Sequence, residues 1–387
     1  MRTHIYPLDA VRFFSALCVM VFHLAFYDWA SPSSTVGQML AHATSYPEAT
    51  PFASFGWIGV EIFFVISGFV IANSASGASP IAFAKSRVLR LYPAVWICLL
   101  FTLSAWLLAG GQTTRHLASE FARTFTLWIS GPWLDGVYWS LAVEIVFYAI
   151  VFVVLVSSRF EQIRNAARIL SLMSATYLLL YTFVPHIFTS PDGQWIVAHA
   201  DVLQLRYGCF FALGIWMWLS TVRALKTIDW LGMLMATATC MLEIALRAQE
   251  MTKFEVPSGV VIPVITPVVL WVAVVLFIFI IAHAPESFAP TSKPSRDAMK
   301  HLGQMTYPLY LTHSVVGAFL IRTLVNHGVN PWPALAMAML SALMLSHLVA
   351  GYAEPAVRRR LRSLWERAEG GLVQARGLEF LFKRQAG

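Results

Sequence analysis

Charge is scarce in this chain. Asp, Glu, Lys and Arg together make up 12% of its 387 residues, while hydrophobic residues make up 58%; charged residues reach about 25% in soluble globular proteins. A water-soluble fold of this polarity would lack the polar groups its surface needs, so the composition excludes a soluble domain and points to a polytopic membrane protein. Cysteine is also rare. Cys18, Cys98, Cys209 and Cys240 all lie inside apolar runs without metal-ligand spacing. That excludes a disulfide framework, predicts no metal site, and reads as four buried small hydrophobes. A cleavable leader is not expected: the first apolar run begins near Val11 and is followed by further spans rather than a small-residue cleavage site. The sequence shows no internal repeat and no inverted halves of the transporter kind. No extramembrane stretch is long enough to form a domain. The loop 28–55 is rich in Ser, Pro, Thr and Ala and lacks Lys and Arg.

Ten apolar runs of spanning length are present, near 11–28, 56–73, 92–109, 138–156, 169–188, 202–219, 228–246, 263–283, 306–325 and 334–352. The stretch 115–134, with Arg115, Glu120 and Arg123, is too polar for a span and reads as an interfacial or re-entrant segment. With the N-terminus in the cytoplasm, 21 of the 27 Lys and Arg fall on the inside, as the positive-inside rule requires. The expected fold is therefore an all-α transmembrane helical bundle of about ten spans with both termini cytoplasmic. Residues 1–355 would form the membrane domain and 356–387 a basic amphipathic tail lying on the cytoplasmic leaflet. This topology accounts for the net charge of +7 without a nucleic-acid partner.

Against this apolar background the first helix stands out. It carries Asp9, Arg12 and, eleven residues after the arginine, His23. At about 1.5 Å per residue the two cannot share a level: His23 sits roughly 16 Å from Arg12, about halfway across a ~30 Å hydrocarbon core. An ionisable group at that depth costs about 2.5–3.5 kcal/mol on insertion scales and marks a functional site by default. Glu61, Glu144, Arg206, Glu243, His313, His347 and Glu354 add further ionisable groups in or beside the spans. Singly, each reads as a satisfied structural group. Together they exceed what lipid tolerates and imply a shared polar interior, with His23, Glu61, Glu144 and Arg206 in its middle or outer half. A carboxylate beside an imidazole fixes its tautomer and raises its basicity, as a general base needs. A second cluster, Lys85-Ser-Arg87-Val-Leu-Arg90, precedes the third span. It reads either as a topology determinant or as a phosphate clamp, because arginines three residues apart share one helical face and bind phosphate bidentately. Arg12 could join that clamp.

Several of these residues lie in short motifs that follow one another along nearly the whole chain. They are Leu8-Asp9-x-x-Arg12 followed by His23, Gly59-Val-Glu61-Ile-Phe-Phe-Val-Ile-Ser-Gly68-Phe, Arg87-x-x-Arg90 before Leu-Tyr-Pro93, Trp139-Ser-Leu-Ala-Val-Glu144 with Phe147-Tyr148, Tyr310-Leu-Thr-His313 and Glu354-Pro355. Through them the chain resembles the integral-membrane acyltransferase family 3, which moves acyl groups, often acetyl, from cytoplasmic acyl-coenzyme A to carbohydrates and other acceptors. The resemblance implies that His23 is the base, or the acyl carrier, oriented by Glu144 and Glu61. It implies that Arg12, Arg87 and Arg90, with Lys85 beside them, hold the coenzyme phosphates, and that Arg206, His313, Tyr138 and Trp139 are substrate-contacting or structural polar residues. It further implies an acetyl-coenzyme A donor, a carbohydrate acceptor, a bacterial inner-membrane location and a homo-oligomer as one option. Many relatives append an extracytoplasmic esterase-like domain; none is expected within this polypeptide. A small-molecule acceptor or a succinyl donor is the nearest alternative. A proton-coupled transporter is the competing class, and it would not need the basic clamp or the ordered motifs.

Overall fold

The computed structural model describes residues 4–40, 42–157, 160–254 and 256–375. The expectations placed on Arg2, Arg159 and tail residues 376–387, including Leu378 and Phe380, fall outside the described residues. Among the described residues the chain is helical and contains no strands. The principal helices are α1 Tyr6–Phe22, α2 Ile58–Ala75, α3 Pro80–Ala109, α4 Thr114–Thr126, α5 Trp139–Val156, α6 Ile163–Phe183, α7 Gly208–Val222, α8 Thr227–Met251, α9 Ile265–His283, α10 Lys293–Asn326, α11 Pro331–Leu348 and α12 Glu354–Ala375.

Among the described residues, nine helices are long and apolar enough to cross a membrane. The expected span at 202–219 is the exception. Residues 201–207 form turns in which Gln204 takes a left-handed backbone, φ 61°, so α7 starts late and has only 15 residues, about 22 Å of helix. Its position compensates: Gly208 through Leu219 are all buried, making α7 an interior pillar enclosed by the other helices. Trp216 and Phe210 lie wholly inside, and Phe211 stacks on Phe147 of α5 at 4.3 Å. Gly214 permits close approach, since a Cβ there would strike the Val65 carbonyl of α2.

The polar stretch 115–134 does not cross. It begins with the 13-residue α4, whose first turn is capped by Thr113 accepting from the His116 N–H at 3.3 Å. Its end is bonded to α3, where Trp96 Nε1 donates to the Phe125 carbonyl at 3.2 Å and Tyr92 donates to that of Thr126 at 3.1 Å. The start of the tail is likewise docked rather than free. α12 leaves α11 through a π-helical turn, Val349–Ala353, and the Arg358 guanidinium pairs with Glu354 and donates to the Leu89 carbonyl of α3 at 3.1 Å.

Two local devices set up the interior. Gly59 brings α2 against α1 so closely that a Cβ would strike the Ser15 carbonyl. Directly after α1, residues His23–Tyr27 form a π-helical turn, whose extra residue per turn shifts side chains out of α-helical register and recurs at functional sites. The ring of Tyr27 consequently packs edge-on to that of His23, centroids 5.5 Å apart.

Candidate active site

Two cavities within the bundle hold most of the expected site residues. The first, about 730 Å³ of empty space, is lined by Arg12, Arg87, Arg90, Glu144, Ser67 and Tyr148 among others. Ser79 caps α3 by accepting from the Ala82 N–H at 3.2 Å, and the helix then carries Arg87 and Arg90 one turn apart toward the cavity. Aromatic faces steady both cations: Arg87 lies 5.6 Å from the Phe83 ring and 5.7 Å from Tyr148, and Arg90 lies 5.4 Å from Tyr307. Cation–π contacts leave guanidinium N–H groups available to an anion. Glu144 accepts a hydrogen bond from Ser67 of α2. Lys85 does not line this cavity; its ammonium pairs with Glu366 of α12 at 3.5 Å.

The second cavity, about 940 Å³, is lined by His23, Glu61, Trp57, Trp139, Asp135 and Arg247 among others. The hydrogen bonds of the two histidines assign their tautomers. His313 Nδ1 is 3.1 Å from the Leu309 carbonyl and so carries the proton, which leaves His313 Nε2 as an acceptor. His23 Nδ1 lies 3.0 Å from the Val19 carbonyl and 3.1 Å from His313 Nε2, so it donates. His23 Nε2 is therefore the basic nitrogen, and among the described residues no protein group hydrogen bonds to it. Glu61 is 2% exposed, with Oε2 lacking a hydrogen-bond partner. At the edge of the chamber Asp135 caps the entry to α5, accepting from the Val137 N–H at 3.1 Å and the Val315 N–H of α10 at 3.2 Å. Burial pushes its carboxyl up to about 6, against the pull of those two bonds.

The cavities share a wall: Val60 and Tyr310 line both. Tyr310 is held across the bundle by Ser140 at 2.7 Å and the Val137 carbonyl at 3.1 Å. It follows Pro308, which interrupts the backbone bonding of α10 because proline has no N–H to donate.

The shared interior expected for the ionisable residues is thus divided. Glu144 does not meet His23; it belongs to the arginine-lined cavity, because the α5 face bearing it turns toward α2 and α3, and His313 is the imidazole's side-chain partner instead. Arg206 lines a separate small cavity and is consumed by Glu243 at 2.5 Å and both oxygens of Glu250 at 3.1 Å. Tyr138 is buried with its hydroxyl unpartnered and lines neither main cavity, whereas its neighbour Trp139 lines the second. Asp9 bonds His4 at 2.6 Å, and His347 bonds His301 at 2.8 Å. Sequence reasoning missed Arg247, Asp135 and Tyr310 as cavity residues. A signal existed for the first: Glu243, Arg247 and Glu250 are spaced four and three apart, one face of a helix, at the end of an apolar run.

Fold and cavities together define a polytopic membrane protein with an arginine-lined and a histidine-bearing chamber enclosed by its helices. Residues 5–351 match the acyltransferase domain of acyltransferase family 3, and the chain belongs to that family. Relatives include the provisionally named membrane-bound transacylase BcsY of Komagataeibacter xylinus, 28% identical over 185 residues. The acyltransferase MdmB of Streptomyces mycarofaciens is 29% identical over 152 residues. These alignments cover 42% and 36% of this chain, and the chain spans only 45% and 36% of the two relatives' own lengths. No solved structure matches the chain.

Proposed function

We propose that the protein is a membrane O-acyltransferase that moves an acyl group, acetyl in the simplest case, from cytoplasmic acyl-coenzyme A to a carbohydrate hydroxyl. The observation that carries this reading is the pair of cavities back to back across Val60 and Tyr310, one lined by three arginines and the other by an imidazole with a free basic nitrogen. Arg12, Arg87 and Arg90 would bind the coenzyme's phosphates, and its extended pantetheine arm would carry the thioester past Tyr310 toward His23. In the second chamber His23 Nε2 removes the proton of an acceptor hydroxyl, whose oxygen attacks the thioester carbonyl carbon. The carbon–sulfur bond then breaks and the departing thiolate recovers the proton from the imidazolium. His23 as an acyl carrier uses the same nitrogen as nucleophile. Aromatic walls from Tyr27, Trp57 and Trp139, with Glu61 as hydrogen-bond acceptor, suit the faces and hydroxyls of a sugar.

The test is transfer of radiolabelled acetyl from acetyl-coenzyme A by the purified full chain in proteoliposomes, with envelope glycans of the source organism as acceptor. His23→Ala is expected to lower the rate by roughly 10²–10⁴-fold, the range of general-base contributions. An undiminished rate in that variant would overturn the assignment. Transfer to no glycan but to a soluble alcohol would redirect the acceptor to a small molecule.

A further inference from the structure

Within the second chamber, one charge is unaccounted for by the chemistry above. Arg247 of α8 is the single Lys or Arg among the described residues lining that cavity. Its side chain is 28% exposed, and its charge acts on both His23 and Glu61. Its side chain donates from Nη1 to Glu250 Oε2 at 3.3 Å. Glu250 is already engaged through both oxygens by Arg206 at 3.1 Å, and Arg206 is further held by Glu243. The cluster therefore contains two arginines and two glutamates, with Arg206 taking most of the acceptor capacity. A guanidinium has five N–H donors, and Arg247 commits one. Its remaining donors are held beside an aromatic-walled chamber, with Glu250 fixing the side chain.

We propose that Arg247 is the oxyanion-stabilising residue of the transfer reaction. When the acceptor oxygen adds to the thioester carbonyl, the carbonyl π electrons move onto its oxygen and a tetrahedral oxyanion forms. Collapse of that oxyanion restores the carbonyl and expels the coenzyme thiolate, which takes the proton held on His23. Negative charge thus appears on an oxygen beside His23 that was neutral in the ground state. The neutral His313 and the carboxyl groups of Glu61 and Asp135 do not offer it a cation; Arg247 does. A preorganised donor of this kind is worth far more in a water-poor site than in water, because no solvent must reorganise as the charge develops. The inference rests on the proposed acyl transfer and deepens it by one residue.

The experiment measures initial rates of thiol release from acetyl-coenzyme A by the full chain in proteoliposomes supplied with the source organism's envelope glycans. Wild type is compared with Arg247→Gln, Arg247→Lys and Arg247→Ala. Loss of one oxyanion donor predicts a fall in kcat of about 10²–10³-fold in Arg247→Gln, with KM for acetyl-coenzyme A unchanged and Arg247→Lys intermediate. Added guanidinium chloride at millimolar concentration is expected to restore turnover in Arg247→Ala, which a merely structural role would not allow. Unchanged kcat in Arg247→Gln, or a loss in Arg247→Ala that guanidinium does not rescue, would overturn the inference. Inactive wild type would count instead against the acyl-transfer reading itself. Should Arg247→Gln fail to fold, judged by gel filtration, the lysine variant and the rescue decide the matter.

Discussion

His313 Nε2 lies 3.1 Å from His23 Nδ1, and the two rings meet edge to face with centroids 4.9 Å apart. Their protons are ordered from one end: the Leu309 carbonyl holds the His313 proton on Nδ1, so His313 Nε2 can only accept, and His23 can only donate from Nδ1. The consequence is a basic nitrogen on His23 that faces away from protein partners. A hydrogen-bonded pair of this kind ties the protonation state of one residue to the geometry of the other.

Replacing His313 by Ala should therefore weaken turnover without touching the donor site. The Val19 carbonyl still holds His23 Nδ1 at 3.0 Å, so the tautomer survives while the ring loses one of two restraints. A lost buried hydrogen bond of about 1–3 kcal/mol corresponds to a fall in kcat of roughly 5- to 150-fold. Steady-state kinetics should show KM for acetyl-coenzyme A unchanged.

The arginines should behave in the opposite way. Arg87→Ala and Arg90→Ala are each expected to raise KM for acetyl-coenzyme A by on the order of 10- to 100-fold, since hydrogen bonds to charged groups contribute about 1.5–3 kcal/mol. Lys85→Ala should leave KM within about twofold, because Lys85 pairs with Glu366 outside the cavity, and exposed pairs contribute about 0–1 kcal/mol. Titration of coenzyme A binding by calorimetry in detergent separates the two cases.

Glu144→Gln distinguishes the two chambers. The glutamine can still accept from Ser67, but the charge beside Arg12 is lost. The pH profile of kcat should stay in place while KM for acetyl-coenzyme A changes. A shifted kcat profile would mean that Glu144 acts on His23 after all.

Asp135 links stability to pH. Burial pushes its folded carboxyl up to about 6, above the ordinary carboxylate value of about 3.9. A raised carboxyl pKa means that its stabilising contribution is complete below the unfolded value and lost as pH rises through the folded one. Between about pH 4 and 6, wild type should lose stability relative to Asp135→Asn by roughly 1.4 kcal/mol per pH unit. Melting temperatures of both proteins in detergent across that window measure the difference. Outside it the two curves should run parallel.

Much of the architecture is written locally. Hydropathy runs mark the spans because lipid demands that every backbone group bond within its own helix, and among the described residues nine helices of spanning length lie where those runs fall. The exception, α7, shows the limit: Gly208–Val222 reads as a span by composition, yet its length is cut by a turn at Gln204 and its burial comes from neighbours. The arginines at 87 and 90 were legible as one face because helical spacing is a property of a single segment. The π-helical turn at His23–Tyr27 was not legible, since no local residue pattern distinguishes it from α-helix.

By itself, then, the sequence determined the membrane class, the helical elements and the residues too polar to face lipid, because each follows from side-chain chemistry and short-range periodicity. Only the tertiary structure decided who meets whom. His23 and His313 are 290 positions apart, Ser67 and Glu144 are 77 apart, and Asp135 reaches Val315 across 180. Those pairings depend on how glycine-lined helix faces close on one another, a matter of packing shape that no stretch of sequence carries alone. The first helix displays both halves of the lesson: its Arg12 and His23 are conspicuous in the chain, but their assignment to separate chambers on either side of Tyr310 comes from the fold.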